Sequence, residues 1–241
     1  MNDPLVSVIQ TRMSSSRLPG KALLPLGGAT VLDQVIRRAE AFSQQVVVCT
    51  SVDESDDPIE SHCRDTGRLC VRGSLGDVFG RFRTTLAHRG VEHTQWFARI
   101  TGDCPLISVR LAQQLLDARA DNLDYVCVPQ TDLPRGISIE VVRRPTFESI
   151  DHRLLDAAEK EHVTLHLYEK QGRYSCLWLK PPRGLRHPQL RLTLDYPEDY
   201  TLIKTLFDWE PNLSAETAIT HLLENPELIA INADCVQKRA R

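Results

Sequence analysis

The stretch Leu5-Val6-Ser7-Val8-Ile9 is followed at once by Gln10-Thr11-Arg12-Met13-Ser14-Ser15-Ser16-Arg17-Leu18-Pro19-Gly20-Lys21. The first five residues are mostly apolar and β-branched, as in a buried strand. The next twelve hold serines, a proline, a glycine and three cations without an apolar period, so they read as a loop. In open parallel sheets ligands bind outside the carboxyl ends of the strands. A basic, hydroxyl-rich loop placed there can surround a polyphosphate with backbone N–H groups, hydroxyls and fixed positive charge. It is not a Walker A loop, because G-x-x-x-x-G-K-[ST] is absent, nor a dinucleotide fingerprint, because no G-x-G-x-x-G occurs.

Working outward, Thr30 precedes an amphipathic pattern through Val31, Val35, Ile36 and Ala39. Residues 45–50 and 69–71 read as strands, and between them Asp57 reads as an N-cap with Pro58 at the first helical position. Asp77 starts a helix whose Val78, Phe79, Phe82 and Leu86 share a face. Residues 96–100 form a strand running into Thr101-Gly102-Asp103, residues 111–120 a helix, and residues 125–128 a strand. This alternation predicts an α/β fold with a mostly parallel central sheet. Further on, strands are expected at 137–142, 175–179 and 190–194, and helices at 147–158, 161–170, from Pro197 through Leu206, and 214–223. The expectation is one domain over residues 1–241, with a small β-containing excursion at 134–190 that serves dimerisation or acceptor binding.

Composition narrows the function classes. With 241 residues, 41% hydrophobic and 25% charged, the chain can bury a sizeable core. A net charge of -3 argues against a general nucleic-acid binder, which carries a basic stripe. Seven scattered cysteines without a C-x-x-C argue against a disulfide scaffold or zinc site and for a reducing, cytoplasmic setting. No signal peptide is expected, and no apolar run approaches the ~20 residues that span a bilayer.

Two more constellations stand at expected strand ends. In Arg99-Ile-Thr101-Gly102-Asp103-Cys-Pro105, a carboxylate directly after a strand and a glycine suits a divalent metal. Magnesium takes one or two protein carboxylates and leaves its other positions to phosphate and water. The alternative for Asp103 is a cap on the helix beyond Pro105. In Asp195-Tyr-Pro197-Glu198-Asp199, Asp195 is the second ligand candidate, while Glu198 and Asp199 complement a helix N-terminus. Cations in one loop and carboxylates in two others make a metal–triphosphate site, and phosphoryl or nucleotidyl transfer needs chiefly in-line positioning and charge neutralisation. His162 and His166 are four apart on an expected helix, which would put them on one side, but no third metal ligand accompanies them. His162 can instead contact substrate near Glu159, Glu161 and Arg135. Trp96, Trp178 and Trp209 are expected in the core or an interface.

At these motifs the chain resembles the SpsF-like cytidylyltransferase family and, more distantly, the synthetases of CMP-Kdo and CMP-neuraminate. The matching pieces are IQTRMSSSRLPGKALLPLGG, RGSLGDVFGRF, RITGDCPLI, PRGISIEVV, EKEHVTLHL and RLTLDYPEDYTLI, in the family's order over most of residues 5–207. The resemblance implies a three-layer, Rossmann-like nucleotide-diphospho-sugar transferase fold, CTP as donor, pyrophosphate as leaving group, magnesium as cofactor and a homodimer. It implies that Arg12, Arg17 and Lys21 bind the triphosphate and that Asp103 and Asp195 bind the metal, with Arg12, Lys21 and Asp103 catalytic. Gln10, Thr11, Ser14, Ser15, Ser16, Thr101 and Gly102 would lie against the nucleotide, with Arg81 a lesser candidate. Arg135, Glu140 and His162 would face the acceptor, a small acidic sugar of the nonulosonic acid type. The chain departs from the family at several positions: Thr11 stands for the usual Ala, Gly136-Ile137-Ser138-Ile139-Glu140 for Gly-Leu-Asp-Val-Glu, so that an acid is lost at Ser138, and Leu194-Asp195-Tyr196 for Val-Asp-Thr.

The alternatives within reach are another NTP, a phosphonate or sugar-phosphate acceptor, or a relative that binds nucleotide without turnover. A glycosyltransferase of similar fold would carry a D-x-D metal motif, and that spacing occurs at no expected strand end.

Overall fold

A computed structural model describes residues 4–170 and 172–236. The strands are β1 (Leu5–Gln10), β2 (Pro25–Leu26), β3 (Ala29–Thr30), β4 (Gln45–Ser51), β5 (Leu69–Gly73), β6 (Trp96–Thr101), β7 (Tyr125–Cys127), β8 (Glu140–Arg143) and β9 (Cys176–Trp178). The α-helices are α1 (Val31–Glu40), α2 (Asp57–Asp65), α3 (Val78–Leu86), α4 (Val109–Asp117), α5 (Arg144–Ser149), α6 (Ala157–Glu161), α7 (Leu165–Glu169), α8 (Pro197–Trp209), α9 (Ala215–Glu224) and α10 (Pro226–Ile229).

Seven strands form one sheet in the order β5-β4-β1-β6-β8-β7-β9. The first four are mutually parallel. β8 is antiparallel to both β6 and β7, and β9 runs parallel to β7. The apolar run of β1 explains itself in this frame. Leu5 and Ile9 enter the cluster on one face of the sheet, and Val6 and Val8 the cluster on the other. A strand buried on both faces reads as a continuous apolar run rather than an alternation. α1, α4, α8 and α9 cover the first face, while Val78, Phe79, Phe82 and Leu86 of α3 cover the second. This is the three-layer α/β arrangement expected from the sequence.

The helix starts carry the expected chemistry. Thr30 and Asp33 form a capping box at α1, Asp77 accepts from the Gly80 N–H at α3, and Ser214 caps α9. Asp57 is the first residue of α2 rather than its cap.

Several expectations fail beyond residue 134. The helix expected at 147–158 is split into α5, a 3-10 turn at His152–Leu154, and α6. The helix expected at 161–170 is broken at residues 162–164, where Val163 takes a φ of 41°. The strand expected from 137 begins only at Glu140. Residues 190–194 are not a strand, although Leu190, Leu192 and Leu194 alternate into the core. Their backbone bonds go to loops instead: Leu192 N donates to Arg135 O (2.8 Å) and Leu194 N to Asp103 O (2.9 Å). The short β2–β3 pair, joined by the hairpin dipeptide Gly27-Gly28, adds to the elements expected from the sequence. Trp96 is buried, whereas Trp178 and Trp209 are exposed.

Candidate active site

The chain crosses from β5 to the far side of β1 to form β6, so the carboxyl ends of β1 and β6 lie side by side, with Gln10 opposite Thr101. This is the switch point where α/β sheets open a crevice. Gly102 is required there. Its N–H donates to Gln10 O (2.8 Å), and a Cβ would stand 2.7 Å from the Thr11 Cβ. The basic loop after β1 is tied down from behind by Asp56, which is fully buried and accepts from Met13 N (2.7 Å), Ser51 N (3.0 Å) and the Ser51 hydroxyl.

Lys21 is the hub of the site. Its Nζ donates to Asp103 Oδ2 (2.7 Å), Leu194 O (2.7 Å) and Asp195 Oδ1 (3.1 Å), which uses all three of its protons. Burial works against the Lys21 charge, but Asp103 and then Asp195 outweigh it and raise the pKa above the ordinary 10.5. Burial likewise works against the Asp103 charge, and the Lys21 ammonium overcomes it, holding that carboxyl below 3.8. Asp103 does not cap the next helix; Ser108 caps α4. Asp195 is held on three sides. Arg17 Nη2 lies 3.1 Å from Oδ1, and Arg191 Nη2 donates to Oδ2 (2.9 Å). Arg191 also grips the fully buried Asp199, at 2.8 and 3.0 Å. Asp199 accepts in turn from the backbone N–H groups of Asp195 and Tyr196. The structural reading of Asp199 holds, and Arg191 supplies the reason it is buried.

The opposite wall rises from β6 and β8. Arg99 donates to Glu140 Oε2 (2.5 Å) and Gln10 Oε1 (3.0 Å). Glu140 also accepts from Tyr125 Oη (3.0 Å) and Thr164 Oγ1 (2.8 Å). Burial opposes the Arg99 charge, but Glu140 holds its pKa above that of a free arginine. The break between α6 and α7 separates the two histidines. His162 lines the cavity, whereas His166 is buried and places Nδ1 2.9 Å from Glu159 Oε1, so they share no metal site. Burial, and then Arg99, lower the His162 pKa below 6.5 and keep the ring neutral at pH 7. Arg81 is 2% exposed, with Nη1 3.3 Å from Ser74 O and Nε unbonded among the described residues. Burial, and then Asp103, push the Cys104 thiol up to about 12, so it is no nucleophile.

These walls enclose a cavity of about 580 Å³. Gln10, Thr11, Arg12, Ser15, Ser16, Arg17, Lys21, Arg81, Thr101, Gly102, Asp103, Arg135, Glu140, His162 and Asp195 all line it. Ser14 does not: it is exposed and outside the lining, because the loop turns its side chain to solvent. Arg99, Glu161, Gln130 and Ser138 also line the cavity. Arg99 could have been found as a cation on the strand that delivers Asp103; Asp56 and Arg191 act from behind the wall and carry no local signal. The lining holds six cations, four carboxylates and a neutral histidine, so it is net positive and suited to a polyanion.

The family described as Cytidylyltransferase matches residues 6–229. The chain is 36% identical over 238 residues to the spore coat polysaccharide biosynthesis protein SpsF of Bacillus subtilis (strain 168), covering 94% of this chain and 97% of that one. It is 25% identical over 247 residues to the 3-deoxy-manno-octulosonate cytidylyltransferase of Psychrobacter sp. (strain PRwf-1), covering 95% and 86%. It superposes on a cytidylyltransferase structure from Leptospira borgpetersenii serovar Hardjo-bovis (strain JB197) with a TM-score of 0.83 at 24% identity, covering 99% and 100%. A match over residues 6–229, with a relative 36% identical along nearly the whole chain, makes this protein a nucleotidyltransferase and a member of the cytidylyltransferase family.

Proposed function

We propose that the chain joins CMP from CTP to a small acidic sugar of the nonulosonic acid type and releases pyrophosphate. The observation that carries this reading is one net-positive cavity in which Lys21 holds the two carboxylates Asp103 and Asp195. Arg12, Arg17, Lys21 and Arg81 line this cavity and are assigned to the nucleotide; Arg135, Glu140 and His162 line it as well and are assigned to the acceptor. The acidic acceptor is supported by Arg135, whose guanidinium has no hydrogen bond or ion pair among the described residues. Burial and then the neighbouring Arg191 lower its pKa, and Asp195 offsets only part of this. The relative that acts on 3-deoxy-manno-octulosonate supports the same substrate class.

In this reading Arg12, Arg17 and Lys21 bind the triphosphate, and Gln10, Thr11, Ser15, Ser16, Thr101 and Gly102 lie along the nucleotide. An acceptor oxygen attacks the α-phosphorus in line as the bond to pyrophosphate breaks. The neutral His162 ring accepts a hydrogen bond from the acceptor hydroxyl, and Glu140 orients the acceptor through the Arg99 pair. Asp103 and Asp195 would be the residues to hold magnesium: Lys21 binds one oxygen of each, Asp103 Oδ2 and Asp195 Oδ1, and so brings the two carboxylates together. An all-oxygen donor set of this kind suits that ion. When bound there, magnesium would neutralise charge on the departing pyrophosphate. A cytoplasmic homodimer belongs to the same reading; Trp178, 43% exposed on β9 within residues 134–190, supports a contact there.

Pyrophosphate release with each of the four NTPs, magnesium and a panel of nonulosonic acids, other sugar acids, phosphonates and sugar phosphates tests the proposal. The expected result is turnover with CTP and a sugar acid, abolished by a chelator. Turnover with a different NTP, or only with a phosphorylated acceptor, would replace it. Light scattering after size exclusion gives the oligomeric mass.

A further inference from the structure

Tyr196 sits where the phosphate loop, the Asp195 turn and the end of the described chain meet. The Arg17 Cζ lies 4.6 Å from the Tyr196 ring centroid, and Arg17 Nη1 donates to Tyr196 Oη (3.2 Å). The other arm of the same guanidinium, Nη2, pairs with Asp195 Oδ1 at 3.1 Å. Tyr196 is itself fixed at both ends. Its backbone N–H donates to Asp199 Oδ2 (3.0 Å), and its hydroxyl donates to Val236 O (3.0 Å). A phenol has one proton to give. With that proton committed to Val236, the oxygen facing Arg17 can only accept, so the hydrogen bonds run in one direction from Arg17 through Tyr196 to Val236. The last described residues are anchored to the same platform by Asn232, which is buried and donates to Asp199 Oδ1 (2.8 Å) and Arg191 O (3.1 Å).

An arginine on a loop loses side-chain freedom when it takes hold of a ligand, and a preset guanidinium loses less. We propose that Tyr196 is a positioning residue that presets Arg17 for the β- and γ-phosphates of the incoming nucleotide, with the Val236 carbonyl setting the tyrosine proton. The residues around 232–236 thereby become part of the nucleotide site without touching the ligand. The proposal rests on the reading of Arg17 as a triphosphate ligand.

Calorimetric titration of CTP with magnesium, which needs no acceptor, tests both and separates them. CMP, which lacks the β- and γ-phosphates, is the control. Arg17→Ala should weaken CTP by about 10- to 100-fold. Tyr196→Phe keeps the ring, so the fold is retained, which a melting curve verifies. It should weaken CTP about 2- to 10-fold and CMP less than about twofold. In the double variant the Phe substitution should add nothing to Arg17→Ala, because its only route is through Arg17. An equal loss for CMP, an unchanged CTP affinity in Tyr196→Phe, or an undiminished effect in the Arg17→Ala background would overturn the clamp alone. An unchanged CTP affinity in Arg17→Ala would overturn the reading of Arg17 and the clamp with it.

Discussion

Replacing Lys21 by Met should damage the fold as well as the chemistry, in a way that depends on pH. The ammonium lies 2.7 Å from Asp103 and 3.1 Å from Asp195, and the three side chains are only 13%, 22% and 13% exposed. At an effective dielectric of about 20, each contact is worth about 5–6 kcal/mol of attraction. Desolvation of the three charges offsets much of that. Removing one partner from a largely buried pair costs about 3–5 kcal/mol, because the remaining charge is stranded. The expected loss at pH 7 is therefore about 3–5 kcal/mol, read by urea unfolding. The sign of the pH dependence follows from the two shifts. The Asp103 pKa is lowered, so its contribution is complete above 3.8 and is lost as pH falls through the folded value. The Lys21 pKa is raised, so its contribution is complete below 10.5 and is lost as pH rises through the folded value. Between those limits the wild-type pair contributes evenly. In the variant, burial is left as the largest influence on Asp103 and raises its pKa, so acid stabilises that site. The gap between wild type and variant should narrow as pH falls from 7 toward 4, and adding Asp103→Asn should recover about 1–2 kcal/mol. A gap below about 0.5 kcal/mol at pH 7, or one that widens in acid, would refute the electrostatic account.

Other outcomes follow from the same structure. Asp56→Ala leaves Met13 N and Ser51 N without their acceptor and should cost about 2–4 kcal/mol, with weaker CTP binding by calorimetry, since the basic loop loses its anchor. Glu140→Ala strands the Arg99 guanidinium, 13% exposed, and should cost about 3–5 kcal/mol on a urea curve; Glu140→Gln, which keeps an acceptor oxygen, should cost less. Gly136→Ala places a Cβ 2.5 Å from Leu192 O at a φ of +98° and should lower stability by at least about 2 kcal/mol on the same measurement. The His162 ring protons should titrate in an NMR series with a midpoint below 6.5, and the midpoint should rise in Arg99→Met, which removes a neighbouring positive charge.

The periodic part of the chain is legible from residue order alone. The apolar run at Leu5–Gln10, the cap at Thr30 and the shared face of Val78, Phe79, Phe82 and Leu86 are local facts, and local sterics and burial enforce them. The cations after β1 and the carboxylate after β6 are legible for the same reason, since strand ends are where a parallel sheet leaves room for a ligand. Beyond residue 134 the apolar spacing misleads. Residues 190–194 alternate like a strand, yet their N–H groups find partners in the loops at Asp103 and Arg135. The pattern records burial, and it does not say which backbone will supply the bonds.

Residue types and their spacing suffice for a layered α/β sheet that presents a basic loop and an acidic strand end. Long-range packing is what lets Lys21 hold Asp103 and Asp195, 82 and 174 residues away, at one point. Packing also makes Arg99 meet Glu140 across an antiparallel pair, and a kink at Val163 sends His162 into the cavity and His166 into the core. Charge partners are chosen by the strand order that brings distant segments together, and a short-range pattern of residue types holds no record of that order.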